Sequence, residues 1–406
     1  MSATATPTSL VTRRWTTGFA LVWLGIWMAW LVPVQLLLPE QLYDVDRAHR
    51  VRDFAVVNGL VGVVSIVALP LFGALCDRTR SRFGRRRVWV AGGVAVFVVG
   101  LVLTGLQSQW TGVAACWVLA SLGYAMVSAG LTATIADRVP EEQRGMVSGA
   151  MFGPQALGIV LGIVAVGAVG PTAGRYALLA AALVLLALPF LAVHRDAGTA
   201  AGEPLSLRAV VGGLWVDPRA NPDFAWAFAG RLLVNLGNAL GTTYLLFFLR
   251  DALEVDDPEG ALLRLTLLYL VGTVAATLVA GWLSDRTGRR RVFVAVASAT
   301  QAVAALLLAI LPSMETAMVA AALLGLGYGA FLSVDQALVT AVLPDAADRA
   351  KDLGILNVGS ATPQALGPLL AAVVISSPGG YSGLFALAGL VTLVGAGLVY
   401  RIRSVP

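Results

Sequence analysis

Hydrophobic runs of about 20 residues recur from one end of this chain to the other, each long enough to cross a bilayer as an α-helix. Lipid offers no hydrogen bonds to a peptide backbone, so a crossing segment must satisfy its own N–H and C=O groups, and a helix does this without a partner. Read with their charged and Pro/Gly interruptions, the runs give twelve spans, at 15–38, 53–76, 88–107, 111–136, 146–169, 173–193, 223–249, 262–284, 292–311, 316–343, 354–376 and 381–400. Composition closes the soluble alternative. Of 406 residues 58% are hydrophobic and 13% charged, more apolar surface than a water-soluble chain of this size can hide. Forty-four glycines suit membrane helices that approach closely. The expected fold is an all-α membrane protein.

The segments near 39–52, 77–87, 137–145, 194–222, 250–261, 285–291 and 344–353 read as loops. The longest carries Pro204, Pro218 and Pro222 and divides the chain into a six-helix bundle at 1–193, a cytoplasmic linker loop at 194–222 and a second bundle at 223–406. Of 28 Lys and Arg, 21 fall on one side of this topology, 6 on the other, and Arg231 inside a span. The richer side holds both termini and is therefore cytoplasmic. The expected location is a cell membrane, the inner membrane of a bacterium. The net charge of +5 thus marks topology rather than a nucleic-acid partner. Cys76 and Cys116 lie in different spans, suggesting neither a disulfide framework nor a metal site, and no cofactor is expected. The first run lacks a small-residue cleavage site and reads as a retained helix.

The two halves repeat each other. Gly73-Ala-Leu-Cys-Asp77-Arg-Thr returns as Gly281-Trp-Leu-Ser-Asp285-Arg-Thr, displaced by 208. Beyond a four-residue difference in the loop, Gly84-Arg-Arg-Arg87 returns as Gly288-Arg-Arg-Arg291, displaced by 204, as do Gly123-Tyr124 at Gly327-Tyr328 and Pro140 at Pro344. Pro154-Gln-Ala-Leu-Gly158 returns as Pro363-Gln-Ala-Leu-Gly367. Several matches in one order imply duplication, and two parallel six-helix halves are a known transporter architecture.

Gly73-x-x-x-Asp77-Arg followed by Gly84-Arg-Arg-Arg resembles the loop 2–3 signature of the major facilitator superfamily, and loop 8–9 repeats it. The resemblance implies twelve transmembrane helices in two pseudo-symmetric six-helix bundles. The longer stretch from Asp77 to Arg87, with Gly354-Ile-Leu-Asn357 and Pro363-Gln364, is similar to sucrose–proton symporters and the glycoside–pentoside–hexuronide:cation branch. Two departures limit what carries over. The sodium-binding aspartates of melibiose-type members register at Ser65 and Leu69, and helix 5 carries no arginine of the kind plant sucrose carriers have.

A carboxylate at the loop motif is suited to the positive end of a helix dipole. Asp77 and Asp285 are therefore expected to latch the cytoplasmic side, the resemblance naming the helices that begin at Gly145 and Gly354 as receivers. Arg78, Gly84, Arg85, Asp137, Arg138 and Arg286 complete the expected gating set, although Asp137 could equally be a plain helix cap. The positive-inside bias suffices to explain Arg86 and Arg87, and the arginines can anchor to lipid phosphates.

The binding face follows from helical period. Arg231, Asn235, Asn238 and Thr242 stand at i, i+4, i+7 and i+11, a single polar stripe that lipid cannot satisfy. A displacement of 208 sets Trp23, Trp27 and Trp30 against the first three, where rings either line a cavity or pack at an interface. Aromatic rings opposite amide donors suit a sugar ring or a flat cationic drug. Gln155 and Gln364 occupy matching places, binding ligand or satisfying carbonyls near a proline kink, and Tyr328 joins the candidate binding set.

Asp53 is expected at a solvated outer mouth with Arg50 and Arg52, whereas Asp335 lies well inside a span. Arg231 and Asp335 sit at matching depths, each eight residues from its helix's cytoplasmic end, so an ion pair is expected. Asp335 would then either couple to protons or stay ionised as the partner of Arg231. A G-x-x-x-x-G-K-[ST] sequence is absent, His49 and His194 lie in loops, and neither an ATP-driven pump nor a membrane enzyme is expected. The leading expectation is secondary active transport by a monomer: proton-coupled uptake of a sugar-like or other small polar solute. The alternative is a proton-antiporting exporter of drugs or natural products, for which Gly149-x-x-x-Gly153-Pro154 offers a partial motif.

Overall fold

The computed structural model describes residues 10–79, 81–140, 143–194, 219, 221–341, 362–363 and 366–403. Among them, eleven helices are long and apolar enough to cross a membrane. The first six are α1 (Arg13–Val45), α2 (Arg50–Arg78), α3 (Arg85–Gly105), α4 (Trp110–Arg138), α5 (Arg144–Gly167) and α6 (Thr172–Val193). They are followed by α7 (Pro222–Asp251), α8 (Pro258–Thr287), α9 (Arg290–Ile310) and α10 (Met314–Ala341). A shorter apolar helix, α11 (Leu366–Ile375), falls in the expected span 354–376, most of which lies outside the described residues, and α12 (Gly380–Val399) is last.

One expected boundary is wrong. Residues 39–45, read as loop, continue α1, because the helix passes Pro33 through a π-helical turn at Pro33–Leu37 and resumes at Leu38–Val45. A π-turn absorbs the hydrogen bond a proline cannot make. The extension is held by its polar face: Glu40 accepts from Arg175 at 2.7 Å, and the Gln41 amide donates to the carbonyls of Thr104 and Gln107.

The chain forms two compact units, Met1–Asp53 with Leu60–Leu205, and Phe54–Gly59 with Ser206–Pro406. In the first, α1 packs on α5 and α6, and α3 on α4 and α6; in the second, α7 packs on α12, and α9 on α10 and α12. The pairs α1/α6, α3/α4 and α3/α6 thus recur six helices later, as the duplicated sequence requires. Glycines set the closest approaches. A Cβ at Gly93, Gly100 or Gly123 would fall on the backbone of Val127, Ala120 or Phe97 across the α3–α4 contact. The repeated loop glycines have a different task. Gly84 (φ 100°) and Gly288 (φ 67°) turn the chain between consecutive helices in the left-handed region, which a side chain would strain.

Candidate functional site

The polar stripe of α7 faces α10 and α8 inside the second unit. Arg231 Nη1 lies 3.1 Å from Asp335 Oδ2, with side chains 12% and 7% exposed, so the expected ion pair is present. Its surroundings are ordered by short polar links. Asn235 Nδ2 donates to the Arg231 carbonyl at 2.8 Å, and the Tyr328 hydroxyl donates to Asn235 Oδ1 at 3.3 Å. Tyr328 is stacked between Tyr269 and Phe331, with centroids 6.2 and 6.3 Å away. Beneath lies an apolar cluster that includes Phe224, Val234, Val294, Phe331 and Val334, which keeps one side of the stripe dry. Asn238 is buried, and its side-chain N–H groups find no acceptor among the described residues. Tyr269 was missing from the expected set; its only sequence signal is its position on α8, four residues before Thr273, whose hydroxyl donates to its carbonyl.

In the first unit, the matching positions hold rings that are largely used for packing. Trp117 and Tyr124 lie seven residues apart on α4, about 10.5 Å of helical rise, and Trp30 stacks 5.2 Å from one and 4.4 Å from the other. Those two separations nearly fill the rise, so Trp117 and Tyr124 cover opposite faces of Trp30. Phe97 closes an edge. Trp23 is 1% exposed and packs on Phe19 and Trp27, and its indole N–H has no acceptor among the described residues. Trp27 donates to the Met151 carbonyl at 2.8 Å and leans on Phe152, which is itself 55% exposed. Gln155, one turn beyond Met151 on α5, is half-buried.

The loop motif of the first unit centres on a residue the sequence reading set aside. Arg86 is buried and binds Asp77 Oδ1 at 2.6 Å and Asp137 Oδ2 at 2.8 Å, with Cys76 Sγ at 3.2 Å. Arg85 joins at Asp137 Oδ2, 2.8 Å, and also donates to the Asp77 carbonyl. Positive-inside bias alone does not explain such an arginine. The missing signal was helical phase: Arg86, Val90, Gly93 and Phe97 stand at i, i+4, i+7 and i+11 on the buried face of α3. Burial raises the Asp137 carboxyl, but hydrogen bonds and charge from Arg86 and Arg85 outweigh it and hold the group below its ordinary value. Asp137 therefore acts in an ion cluster rather than as a plain cap.

Of the remaining gating candidates, Arg78 ends α2 exposed and Arg138 is half-buried at the end of α4. Arg286 lies 4.6 Å over the exposed Trp282 ring. The Asp285 side chain, Gln364 and Gly354 lie outside the described residues. Asp53 corrects an expectation: it is 0% exposed rather than solvated, with Nε and Nη2 of the exposed Arg52 folded back on Oδ1 and no donor to Oδ2 among the described residues.

Duplicated bundles of apolar helices, one of them holding an ion pair on a polar stripe, define a multi-pass membrane protein of the transporter class rather than an enzyme. The sequence profile of the Major Facilitator Superfamily matches residues 15–266 and 257–406, and the chain belongs to that superfamily of transporters. Its fold is similar to the nucleoside transporter NupG, with a TM-score of 0.73 at 14% identity over 95% of this chain and 99% of that one. It is also similar to a POT family transporter in complex with a thioalcohol-conjugated peptide, at TM-score 0.69 and 12% identity over 94% and 95%. At such identities the likeness is one of fold. The lysosomal dipeptide transporter MFSD1 of Homo sapiens is 31% identical over 105 residues, 26% of this chain and 21% of that protein. That of Mus musculus is 28% identical over 137 residues, 34% and 28%. The matched stretch thus spans less than a third of either curated relative.

Proposed function

We propose that this protein is a secondary active transporter that moves a small polar solute by alternating access, with Asp335 exchanging the coupling proton and Arg231 serving as its counter-charge. The observation that carries this reading is the Arg231–Asp335 pair, buried at 3.1 Å on a polar stripe inside the second unit. An intramembrane ion pair is costly to keep and marks a transport or proton pathway by default. Asn235, Asn238 and Tyr328 extend the binding face on the same unit, with Gln155, Gln364 and the edges of Trp23, Trp27 and Trp30 as further candidates. Asp77, Asp137, Arg85 and Arg86, with Asp285 and Arg286 in the repeat, gate the cytoplasmic side. The reading places both termini in the cytoplasm, halves at 1–193 and 223–406, and a monomer in the cell membrane of a bacterium.

A sugar-like solute was favoured by the tryptophans and the sucrose-type motif. Trp30 has both ring faces covered by its own unit, which weakens the support for a stacking platform. The similarity to the MFSD1 dipeptide transporters favours a second reading, a dipeptide-like solute. Proteoliposomes with an inside-alkaline gradient test the proposal against radiolabelled sucrose, alanylalanine and uridine. Accumulation of one solute above equilibrium, abolished by a protonophore while exchange persists, is the expected result. Accumulation indifferent to the protonophore would overturn proton coupling.

A further inference from the structure

The way the buried pair is made restricts the solute it can serve. Arg231 Nη1 lies 3.1 Å from Asp335 Oδ2, and both side chains are largely buried. In a dry site the two charges are tolerable only together, so a ligand that changes the local net charge is strongly disfavoured. A neutral ligand leaves the pair intact and requires no proton. A purely cationic ligand beside the intact pair adds an uncompensated charge. A carboxylate is different: it can take the place of Asp335 on the guanidinium when Asp335 gains a proton in the same event. One O–H bond then forms on Asp335, no covalent bond breaks in the ligand, and the site stays neutral. Carboxylate and proton are taken up together because neither is tolerated alone.

A second observation lies two turns along the same stripe. Asn238 is 7% exposed, and its Nδ2 has no acceptor among the described residues. Its own carbonyl is used by the Thr242 hydroxyl, and its neighbour Asn235 is committed on both sides, to the Arg231 carbonyl and to Tyr328. The Tyr269 hydroxyl faces this amide without reaching hydrogen-bond distance, so among the described residues the buried donor is open to an oxygen of the ligand.

We propose that the solute carries a carboxylate, which replaces Asp335 on Arg231 as Asp335 takes up the coupling proton, and a second oxygen acceptor that meets the Asn238 amide. This rests on the proton-coupling role of Asp335. Purified wild-type protein, in weak buffer with a pH dye, is titrated with alanylalanine, N-acetylalanylalanine, alanylalanine amide and sucrose, and thermal stabilisation is followed in parallel. N-acetylalanylalanine, alone or with alanylalanine, is expected to bind, with about one proton taken up per ligand, and the amide to bind roughly tenfold or more weakly, since a charge-assisted hydrogen bond is lost. Binding of both acids, or of N-acetylalanylalanine alone, identifies the carboxylate as the handle; binding of alanylalanine only, whose ammonium leaves the protonated site one charge in excess, would overturn the charge-balance argument. Asp335→Asn, which imitates the protonated side chain in shape, should keep acid binding and lose proton uptake. Asn238→Ala should weaken acid binding without altering proton uptake per ligand. Equal binding of amide and acid, proton uptake with sucrose, or no response to either acid would overturn the carboxylate assignment. Acid-selective binding without proton uptake in the wild type would instead overturn the coupling role of Asp335, and with it the exchange step proposed here.

Discussion

Where α7 carries Arg231, Asn235 and Asn238, the repeat sets Trp23, Trp27 and Trp30 on α1, and where α10 carries Asp335, α4 carries Leu131. Three helix pairs recur in both units, yet one fills these positions with a charged, hydrogen-bonded network and the other with stacked rings. The loop motif is skewed the other way. Asp77, Arg86 and Asp137 form one ion cluster in the first unit, while the repeat offers Asp285 and Arg290 but Ala341 in place of the second acid. Duplication therefore preserved the frame while the contents diverged: the second unit holds a buried ion pair on its polar stripe, and the first holds an ion cluster around the buried Arg86.

The sharpest way to break this comparison is to remove half of the buried pair. Arg231→Ala and Asp335→Ala should each destabilise by about 3–5 kcal/mol, because the remaining charge is stranded. The double variant should lose less than the sum, a difference that chemical unfolding in detergent can measure; simple additivity would mean that the two groups do not interact. On the opposite unit, Trp30→Ala opens the three-ring stack and should cost about 3 kcal/mol of stability, whereas Trp30→Phe should keep most of it along with transport. If Trp30→Ala kept its stability but lost solute binding, the first unit would be a binding surface rather than a packed one.

The skewed loop clusters give smaller effects. Arg86→Gln leaves two carboxylates short of a partner and should cost about 2 kcal/mol. Arg290→Gln in the repeat, where Ala341 stands in place of a second acid, should cost less than Arg86→Gln. Equal losses would erase the claimed asymmetry. The least effect concerns pH. The folded Asp137 carboxyl is held below its ordinary value, so its contribution is present above about pH 4 and fades as pH falls through the folded value. Acid should therefore loosen the first unit's cluster, and Asp137→Asn should flatten that part of the stability profile. A profile that is unchanged in the variant would remove Asp137 from the cluster's energetics.

Much of this was legible in the chain because membranes impose few solutions. Apolar length gave the spans, the displaced motifs gave the repeat, and the matched depths of Arg231 and Asp335 gave their contact. What escaped depended on three-dimensional phase or on partners far along the chain. Arg86 looked like one of several topological arginines, and only its phase with Val90 and Phe97 turns it inward. Trp30 could not be told from a cavity-lining ring until Trp117 and Tyr124 were seen on both faces. Asp53 sits among arginines in the sequence, and its burial follows from packing that a hydropathy window does not register. The continuation of α1 beyond Leu38 runs through Pro39, where a proline pattern argues for a break.

Asp335→Asn in proteoliposomes tests the central claim most directly. With the charge removed and the shape kept, the account predicts that accumulation driven by a pH gradient disappears while exchange of labelled for unlabelled solute at equal pH continues near the wild-type rate. Accumulation at wild-type levels in that variant would contradict it and assign the proton to another group, with Asp137 as the next to be tested.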